Sequence, residues 1–308
     1  MLAVWCKIPK WEQLKSSLVI THSLSHYNAS QAKSIFILAG QSNMAGRGGI
    51  MGDDTWDGYI PPQCRSNPLI FRLNAGLTWE EAQEPLHRDI DVTKTCGVGP
   101  GMAFSNAVLN RESGIGVIGL VPCAVGGTNI SEWKRGSGLY NQMLSRVQAA
   151  LRGGGGIIRA ILWYQGESDT ISHENAKLYR QRLEKFLTEI RSDLLSPFLP
   201  VIQVALASGQ GHYVYVIRKA QLGIELPNVK CVDAKGLQLQ PDGLHLSTAA
   251  QVELGQKMAD AFLQIMAPLP VQSSGGPKRL NTFSWISFLD GLGREIFLRI
   301  VGYVSINY

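Results

Sequence analysis

The sequence predicts an α/β fold in which a central, mostly parallel sheet is covered by helices on both faces. Five short apolar runs are bounded by glycine, proline or polar residues, as is typical of strands buried in a parallel sheet. Helical patterns, with apolar residues three and four positions apart, separate several of these runs. Strands that alternate with amphipathic helices indicate a sheet whose two faces are both buried.

The predicted elements follow from where this periodicity changes along the chain. Five strands are predicted at residues 35–39, 117–121, 157–164, 201–207 and 229–232. Three amphipathic helices are predicted at residues 140–151, 179–194 and 254–265. Thr248 and Gln251 have the spacing of a capping box, which places the start of the third helix near Thr248. Because ligands of such sheets bind beyond the carboxyl ends of the strands, the residues after each strand are the first candidates for chemistry.

Composition excludes several classes of protein. Of the 308 residues, 45% are apolar and 17% are charged, which supplies a sizeable core and excludes a disordered chain. The formal charge is only +5 and no dense basic run occurs, so we expect no nucleic-acid partner. No run of 18 uncharged apolar residues occurs, so we expect no membrane span. The five cysteines form no C-x-x-C pair, so neither a zinc site nor a thioredoxin-like motif is supported.

A serine follows the first predicted strand, in the run Gly40-Gln41-Ser42-Asn43. At the carboxyl edge of the sheet its hydroxyl is placed for nucleophilic attack, and its backbone N–H can face a developing oxyanion. A strand-to-helix turn in which Ser42 merely caps a helix explains the local sequence equally well.

An acid and a histidine lie three residues apart just before the third predicted helix. The Asp242 carboxylate can accept Nδ1–H of His245, which fixes the tautomer and leaves Nε2 available to take a serine proton. The spacing alone is weak evidence, since an Asp-x-x-His pair arises by chance in many chains.

Two further strand ends carry groups suited to an oxyanion hole. Gln165 closes the third predicted strand with a side-chain amide donor, although a polar strand end beside an acidic helix start explains it too. Gly126 and Gly127 follow the second strand and allow backbone N–H groups to approach a ligand closely. By themselves these glycines are better explained as an ordinary turn.

Five motifs in a fixed order carry a family resemblance, namely GQSNMAGRG, GVGPGMAF, CAVGGTNISEW, WYQGESD and QPDGLHLS. Together they resemble the plant-type carbohydrate esterases of the SGNH hydrolase superfamily, which are related to sialate O-acetylesterases and some acetylxylan esterases. The resemblance implies a flavodoxin-like three-layer α/β/α sandwich with a five-stranded, mostly parallel sheet. It implies no metal and no organic cofactor.

The resemblance also assigns roles to residues of this chain. Ser42 matches the nucleophile, His245 the base and Asp242 the acid that orients the base. Some related acetyl esterases use the glutamate of the WYQGESD motif instead, so Glu167 is a second candidate for that acid. The short Asp242–His245 loop favours Asp242, because the contact needs little chain closure. Glu167 is then expected to hold the Gln165 loop by accepting backbone N–H groups, and Asn43 is expected to support the site.

The matching oxyanion hole combines backbone and side-chain donors. It consists of the N–H of Ser42, the N–H of Gly126 or Gly127, and the amide of Gln165. The wider superfamily usually has asparagine at the last position, and glutamine keeps the amide donor while adding a methylene.

These observations predict a serine esterase that removes a short acyl group, most simply acetyl, from an O-acetylated carbohydrate. A lipase-like esterase of the same fold and a non-catalytic carbohydrate-binding protein are the alternatives. An α/β-hydrolase is excluded because G-x-S-x-G is broken at Met44, and a Rossmann dehydrogenase because G-x-G-x-x-G is broken at Met102.

The chain divides into three parts on this interpretation. Residues 1–33 are predicted to be an N-terminal extension, 34–267 the esterase domain, and 268–308 a linker and tail of unknown role. The first residues do not resemble a secretory signal, so a cytoplasmic location is expected. The sequence gives no indication of the oligomeric state.

Overall fold

The computed structural model describes residues 32–152 and 155–267. The strands of this part, numbered β1 to β7, are Lys33–Gly40, Ile70–Leu73, Trp79–Glu81, Ile118–Pro122, Gly156–Tyr164, Val201–Ala205 and Val229–Asp233. Its helices, α1 to α6, are Ser42–Ala45, Gly101–Arg111, Gly138–Leu151, His173–Asp193, Val214–Leu222 and Thr248–Met266. Short 3₁₀ turns occur at Pro62–Cys64, Ser113–Ile115, Ile130–Trp133 and Ser168–Thr170. The predicted N-terminal extension, up to residue 31, and the predicted tail lie outside the described residues.

The strands form one sheet in the order β3-β2-β4-β1-β5-β6-β7. All neighbouring pairs are parallel except β2 and β3, so the prediction of a mostly parallel sheet is confirmed. The five predicted strands are β1, β4, β5, β6 and β7. In the sheet, β1 lies between β4 and β5, which is the flavodoxin-like order. From β1 the chain adds strands first on the β4 side and then on the β5 side, so the switch point lies between β1 and β5.

The prediction of five strands is wrong, because the sheet has seven. Strands β2 and β3 are only four and three residues long, and charged side chains interrupt their apolar residues. Arg72 of β2 is buried and forms ion pairs with Glu80 of β3 and with Asp89. Periodicity therefore gives little signal for this edge of the sheet, where the strands are too short for a full apolar run and side-chain ion pairs also join them.

Aromatic clusters on opposite faces of the sheet show the three layers. On one face, Phe36 of β1 packs edge-on against Phe104 of α2 and Phe262 of α6, with both ring centroids 5.0 Å away. On the other, Trp163 of β5 lies 4.6 Å from the ring of Phe186 of α4. Each cluster is fully buried, so both faces of the sheet are covered, as the sequence predicts.

Phe36→Ala is expected to lower the free energy of unfolding by about 3–5 kcal/mol. The ring is fully buried between two helices, so its removal loses apolar burial and leaves a cavity that the rigid sheet cannot close. Denaturant unfolding of both proteins, with unchanged m-values, measures the difference. A loss below about 1 kcal/mol would show that the α2–α6 layer repacks freely.

Helix α6 begins at Thr248, as predicted, but its cap differs from the prediction. The N-cap is Ser247, whose hydroxyl accepts the backbone N–H of Ala250. Gln251 does not complete a capping box. Its side-chain amide instead donates to the backbone oxygen of Asn43 at 3.1 Å, and so ties α6 to the segment that carries Ser42.

Helices α2 and α5 are not predicted by the sequence. Helix α2 packs closely against α6, and small residues make that approach possible. A Cβ at Gly255 of α6 would lie 2.5 Å from the backbone oxygen of Pro100, at the start of α2. Small residues weaken the apolar periodicity on which a helix prediction depends. Within residues 32–152 and 155–267, no helix is both long and apolar enough to cross a membrane.

Candidate active site

The predicted nucleophile lies directly beyond the carboxyl end of β1. Strand β1 ends at Gly40, whose φ of +131° is a conformation that L side chains rarely adopt. A Cβ there would lie 2.0 Å from the backbone oxygen of Tyr164 on β5. Glycine therefore lets the chain leave the sheet beside β5, and Ser42 follows as the first residue of α1. Ser42 lines an open cleft.

Ser42, His245 and Asp242 are brought into one hydrogen-bonded line. Nε2 of His245 lies 3.0 Å from Oγ of Ser42, across 203 residues of sequence. On the other side of the ring, Nδ1 lies 2.6 Å from Oδ2 of Asp242. An imidazole held by a carboxylate at Nδ1 presents Nε2 as a base toward a hydroxyl.

The Asp242–His245 loop is folded around its own carboxylate. Oδ1 of Asp242 accepts the backbone N–H of Leu244 at 2.8 Å and of His245 at 3.0 Å. Gly243 adopts a φ of +66°, which closes the turn. Partial burial would raise the pKa of Asp242, but the two N–H groups and the imidazole outweigh it and lower the pKa below 3.8. The acid is therefore ionised wherever the histidine works as a base.

Burial sets the pKa of the histidine. Desolvation lowers the pKa of His245 below 6.5, Asp242 opposes this shift, and the positive charge of Arg47 adds to it. The ring is consequently neutral at neutral pH, which is the state that accepts a proton from a serine hydroxyl.

The kcat/KM for ester hydrolysis is expected to stay high as the pH falls through 6.5 and to be lost only at lower pH. The reason is that His245 must be neutral to act as base, and its pKa lies below 6.5. A pH profile with p-nitrophenyl acetate from roughly pH 4 to 8 measures this acid limb. The matched control is Glu167→Gln, because it removes a buried carboxyl whose pKa is raised to about 7. An acid limb above 6.5, or one that disappears in Glu167→Gln, would contradict the assignment to His245.

Glu167 does not contact His245 but reaches its loop through Asn43. Nδ2 of Asn43 donates to Oε1 of Glu167 at 2.7 Å, and Oδ1 accepts the backbone N–H of Leu246 at 2.9 Å. The same Nδ2 lies 3.4 Å from the backbone oxygen of Leu244. Asn43 therefore holds the residues on both sides of His245. Glu167 therefore accepts a side-chain amide here, in place of the backbone N–H groups of the Gln165 loop that the sequence analysis expects.

The Gln165 amide is directed into the protein. Its nitrogen lies 2.6 Å from Oδ2 of Asp169, 2.9 Å from the backbone oxygen of Thr128 and 3.2 Å from Oε1 of Gln41. The side chain is 0% exposed and does not line the cleft. This geometry departs from the predicted oxyanion donor, because internal acceptors occupy both N–H groups. Gln165 links the strand end of β5 to the Thr128 loop.

The two glycines of the predicted oxyanion loop differ. Both line the cleft beside Ser42. The N–H of Gly126 is donated to Oδ2 of Asp91 at 3.0 Å, whereas Gly127 is exposed and has a φ of +75°. Of the two predicted backbone donors, the Gly126 N–H is therefore already engaged inside the protein.

The cleft has a volume of about 790 Å³ and is open to solvent. Three segments supply much of its walls, at residues 47–54, 93–94 and 240–242. The motifs of the sequence analysis include Arg47 and residues 240–242, whereas residues 50–54 and 93–94 lie outside every motif. Arg47, Lys94, Asp54 and Asp242 supply charged groups, and Ile50 and Met51 supply apolar surface. A cleft of this size, with charged and apolar groups side by side, is typical of sites that bind small organic molecules.

Arg47 and Asp91 are the main site residues that the sequence analysis misses. They form an ion pair between side chains that are 5% and 0% exposed, and Arg47 lines the cleft. Arg47 belongs to the GQSNMAGRG motif, so its proximity to Ser42 in sequence was a signal that could have found it. Asp91 lies 44 residues further along, in no motif. Among the described residues, no group of three or more histidine, cysteine or acidic side chains could hold a metal ion.

Comparison with known proteins gives the family. Residues 32–264 match the family described as carbohydrate esterase, sialic acid-specific acetylesterase. The chain belongs to this esterase family. It is therefore a carboxylic ester hydrolase of the carbohydrate esterase group.

Individual relatives agree with the family assignment. The chain is 57% identical over 235 residues to a probable carbohydrate esterase of Arabidopsis thaliana, with 74% of this chain and 90% of that protein covered. A crystal structure from Arabidopsis thaliana superposes with a TM-score of 0.73 at 55% identity, covering 76% of this chain and 98% of that one. NanS shares the fold, with a TM-score of 0.62 at 17% identity over 76% of this chain and 98% of NanS.

Proposed function

We propose that this esterase hydrolyses acetyl esters of O-acetylated carbohydrates through a Ser-His-Asp triad and an acyl-enzyme. One geometric observation carries the proposal: the His245 ring lies 3.0 Å from the Ser42 hydroxyl and 2.6 Å from the Asp242 carboxylate. The cleft over Ser42 supports it, since an ester can reach the hydroxyl from solvent. The family and its carbohydrate esterase relatives support the acetyl group and the sugar.

Acylation begins when Nε2 of His245 removes the proton from Oγ of Ser42. The oxygen forms a bond to the ester carbonyl carbon, and the carbonyl π electrons move onto the oxygen as an oxyanion. Collapse of this tetrahedral intermediate breaks the bond between the carbonyl carbon and the sugar oxygen. The imidazolium returns its proton to that oxygen, so the sugar leaves as an alcohol. Asp242 stabilises the imidazolium and remains ionised.

Deacylation repeats the sequence with water as the nucleophile. His245 takes a proton from water, the resulting oxygen attacks the acetyl carbonyl, and the intermediate collapses with Ser42 as the leaving group. The imidazolium then protonates Oγ of Ser42. Acetic acid is released and ionises in the solvent to acetate and a proton, and the free enzyme is restored with no net change in its own protons.

Acetyl selectivity is expected to appear as a fall in kcat/KM along a series of p-nitrophenyl esters. From acetate to octanoate we expect a decrease of about tenfold or more, because a pocket fitted to a methyl group rejects longer chains. The measurement is the initial rate of p-nitrophenol release at constant ester concentration below KM. A rate that climbs with chain length would favour the lipase-like alternative.

The carbohydrate is tested separately from the acyl group. Acetate release from acetylated xylan, acetylated pectin and O-acetylated sialosides, at matched acetyl concentration, ranks the natural substrates. Folded protein that binds one of these glycans but releases no acetate from any ester would support the non-catalytic binding alternative.

A further inference from the structure

One predicted oxyanion donor is directed away from Ser42, and one of the two candidate glycines is already engaged. The Gly126 N–H is donated to Asp91 at 3.0 Å, and the Gln165 amide is fully buried among internal acceptors. A tetrahedral oxyanion needs donors aimed at the place where the charge develops. The N–H groups of Ser42 and Gly127 remain as predicted donors, so the donor that the cleft lacks is the third one, which the Gln165 amide was predicted to supply.

The side chain of Arg47 is held where it can supply a hydrogen-bond donor to the oxyanion. Its Nη1 donates to the backbone oxygen of Gly46 at 2.9 Å and lies 3.4 Å from Sγ of Cys96. Its Nη2 pairs with Oδ2 of Asp91. The residue is only 4% exposed, yet it lines the cleft together with Ser42. These contacts hold the guanidinium in one orientation.

The space around Gly126 shows how near the guanidinium is to the serine. A Cβ built on Gly126 would lie 2.7 Å from Nη2 of Arg47 and 3.5 Å from Cβ of Ser42. The guanidinium nitrogen and the serine side chain therefore flank the same point, and only a glycine fits between them. Asp91 accepts one of the two N–H groups on Nη2, which leaves the other on a residue that lines the cleft.

We propose that Arg47 is a catalytic residue that donates an N–H from Nη2 to the oxyanion, and that Asp91 is the positioning residue that orients it. The backbone N–H groups of Ser42 and Gly127 complete the oxyanion hole. This inference rests on the proposed function, because it requires an oxyanion on Ser42. No bond forms or breaks at Arg47, which contributes a hydrogen bond and a charge.

Physical chemistry favours an arginine in this role. A charged N–H donor binds an anionic oxygen more strongly than a neutral amide does, and burial removes the water that would screen it. The Asp91 carboxylate balances the guanidinium in the resting state, so the charge is tolerated before the oxyanion appears. The same carboxylate holds the Gly126 N–H and so fixes the adjoining Gly127.

Two substitutions of Arg47 and one of a distant arginine test the proposal. Arg47→Gln is expected to lower kcat/KM for p-nitrophenyl acetate by about 10²–10³-fold, the effect of losing one oxyanion donor. Arg47→Lys keeps the positive charge but loses the planar guanidinium with its paired N–H donors, and we expect kcat/KM to fall about tenfold. Arg191→Gln is the matched control, since Arg191 is 5% exposed and binds the backbone oxygens of Leu199 and Pro227, away from the cleft. It is expected to lower Tm and leave kcat/KM within about threefold.

Inhibition by phenylboronic acid separates catalysis from mere support of the loop. The acid forms a tetrahedral adduct on a nucleophilic serine, so its Ki reports binding of the intermediate. We expect the Ki of Arg47→Gln to rise by about the same factor as kcat/KM falls. Asp91→Asn is expected to raise the Ki and to lower kcat/KM by a smaller factor, because Arg47 remains but is held less firmly.

The outcomes distinguish this inference from the proposed function. If the wild-type protein hydrolyses no ester, the proposed function fails. If the wild type is active and the folded Arg47 variants keep both kcat/KM and the boronate Ki within about threefold, the oxyanion role alone is overturned. A loss of Tm in both Arg47 variants that matches Arg191→Gln, with normal kcat/KM, would also overturn it. If Arg47→Gln does not fold, the folded Arg47→Lys protein decides by the same two readouts.

Discussion

Ser42→Ala is expected to lower kcat for p-nitrophenyl acetate by about three or more orders of magnitude while leaving the fold intact. The hydroxyl is the atom that Nε2 of His245 faces, so the variant loses the nucleophile and the acyl-enzyme with it. The backbone N–H of residue 42 and the cleft remain, and so KM changes little. Because the side chain contributes little to the core, Tm should stay within a few degrees.

The control for this variant is Ser105→Ala. Ser105 is a fully buried serine of α2 whose hydroxyl donates to the backbone oxygen of Gly101, and it does not line the cleft. We expect normal kcat from it. Full activity of purified Ser42→Ala, checked for wild-type contamination by mass spectrometry, would refute Ser42 as nucleophile.

Asp242→Asn is expected to lower kcat by about 10⁴-fold, the cost of losing the acid that fixes the imidazole tautomer. The carboxylate lies 2.6 Å from Nδ1 of His245, and an amide there can hold the ring in the wrong tautomer. Glu167→Gln is expected to cost about 10–100-fold, because Glu167 reaches the histidine loop only through Asn43. Both replacements are nearly isosteric, so the comparison separates charge from shape.

Asp233→Asn is the matched control for these two variants. Asp233 is an acid at the end of β7 that pairs with Arg218 and does not line the cleft, and kcat should be unaffected by its loss. If Glu167→Gln gives the larger drop while Asp242→Asn stays near wild type, the acid of the triad is Glu167. The hydrogen bonds of Asn43 to Glu167 and Leu246 would then have to rearrange for the Glu167 carboxylate to reach the His245 ring.

Local sequence identifies the residues whose chemistry lies within one short segment. Asp242 and His245 share one loop, so their contact depends on a turn of four residues that Gly243 closes. Ser42 could be placed at the sheet edge because the apolar run of β1 stops just before it. That Ser42 and His245 meet requires the strand order, which the resemblance supplied and periodicity did not.

Contacts between distant segments are not encoded in any local pattern. The Arg47–Asp91 pair spans 44 residues and the Asn43–Leu246 hydrogen bond 203, and both depend on how loops pack at the sheet edge. Gln165 illustrates a different limit. Its position at the end of β5 is as predicted, but its side-chain direction is set by Asp169 and Thr128, which compete for the amide. The short strands β2 and β3 are not predicted either, because they are held in part by ion pairs that no local pattern reveals.

The serine mechanism is tested most directly by trapping the acyl-enzyme. Wild-type protein is mixed with excess p-nitrophenyl acetate, quenched in acid within the first turnover, digested and analysed by mass spectrometry. We expect an acetyl group on the peptide that contains Ser42, with fragment ions that place it on that residue, and none in Ser42→Ala treated in the same way. Rapid ester hydrolysis by wild type with the acetyl group on another residue, or with equal labelling of Ser42→Ala, would contradict the assignment of Ser42 as the nucleophile.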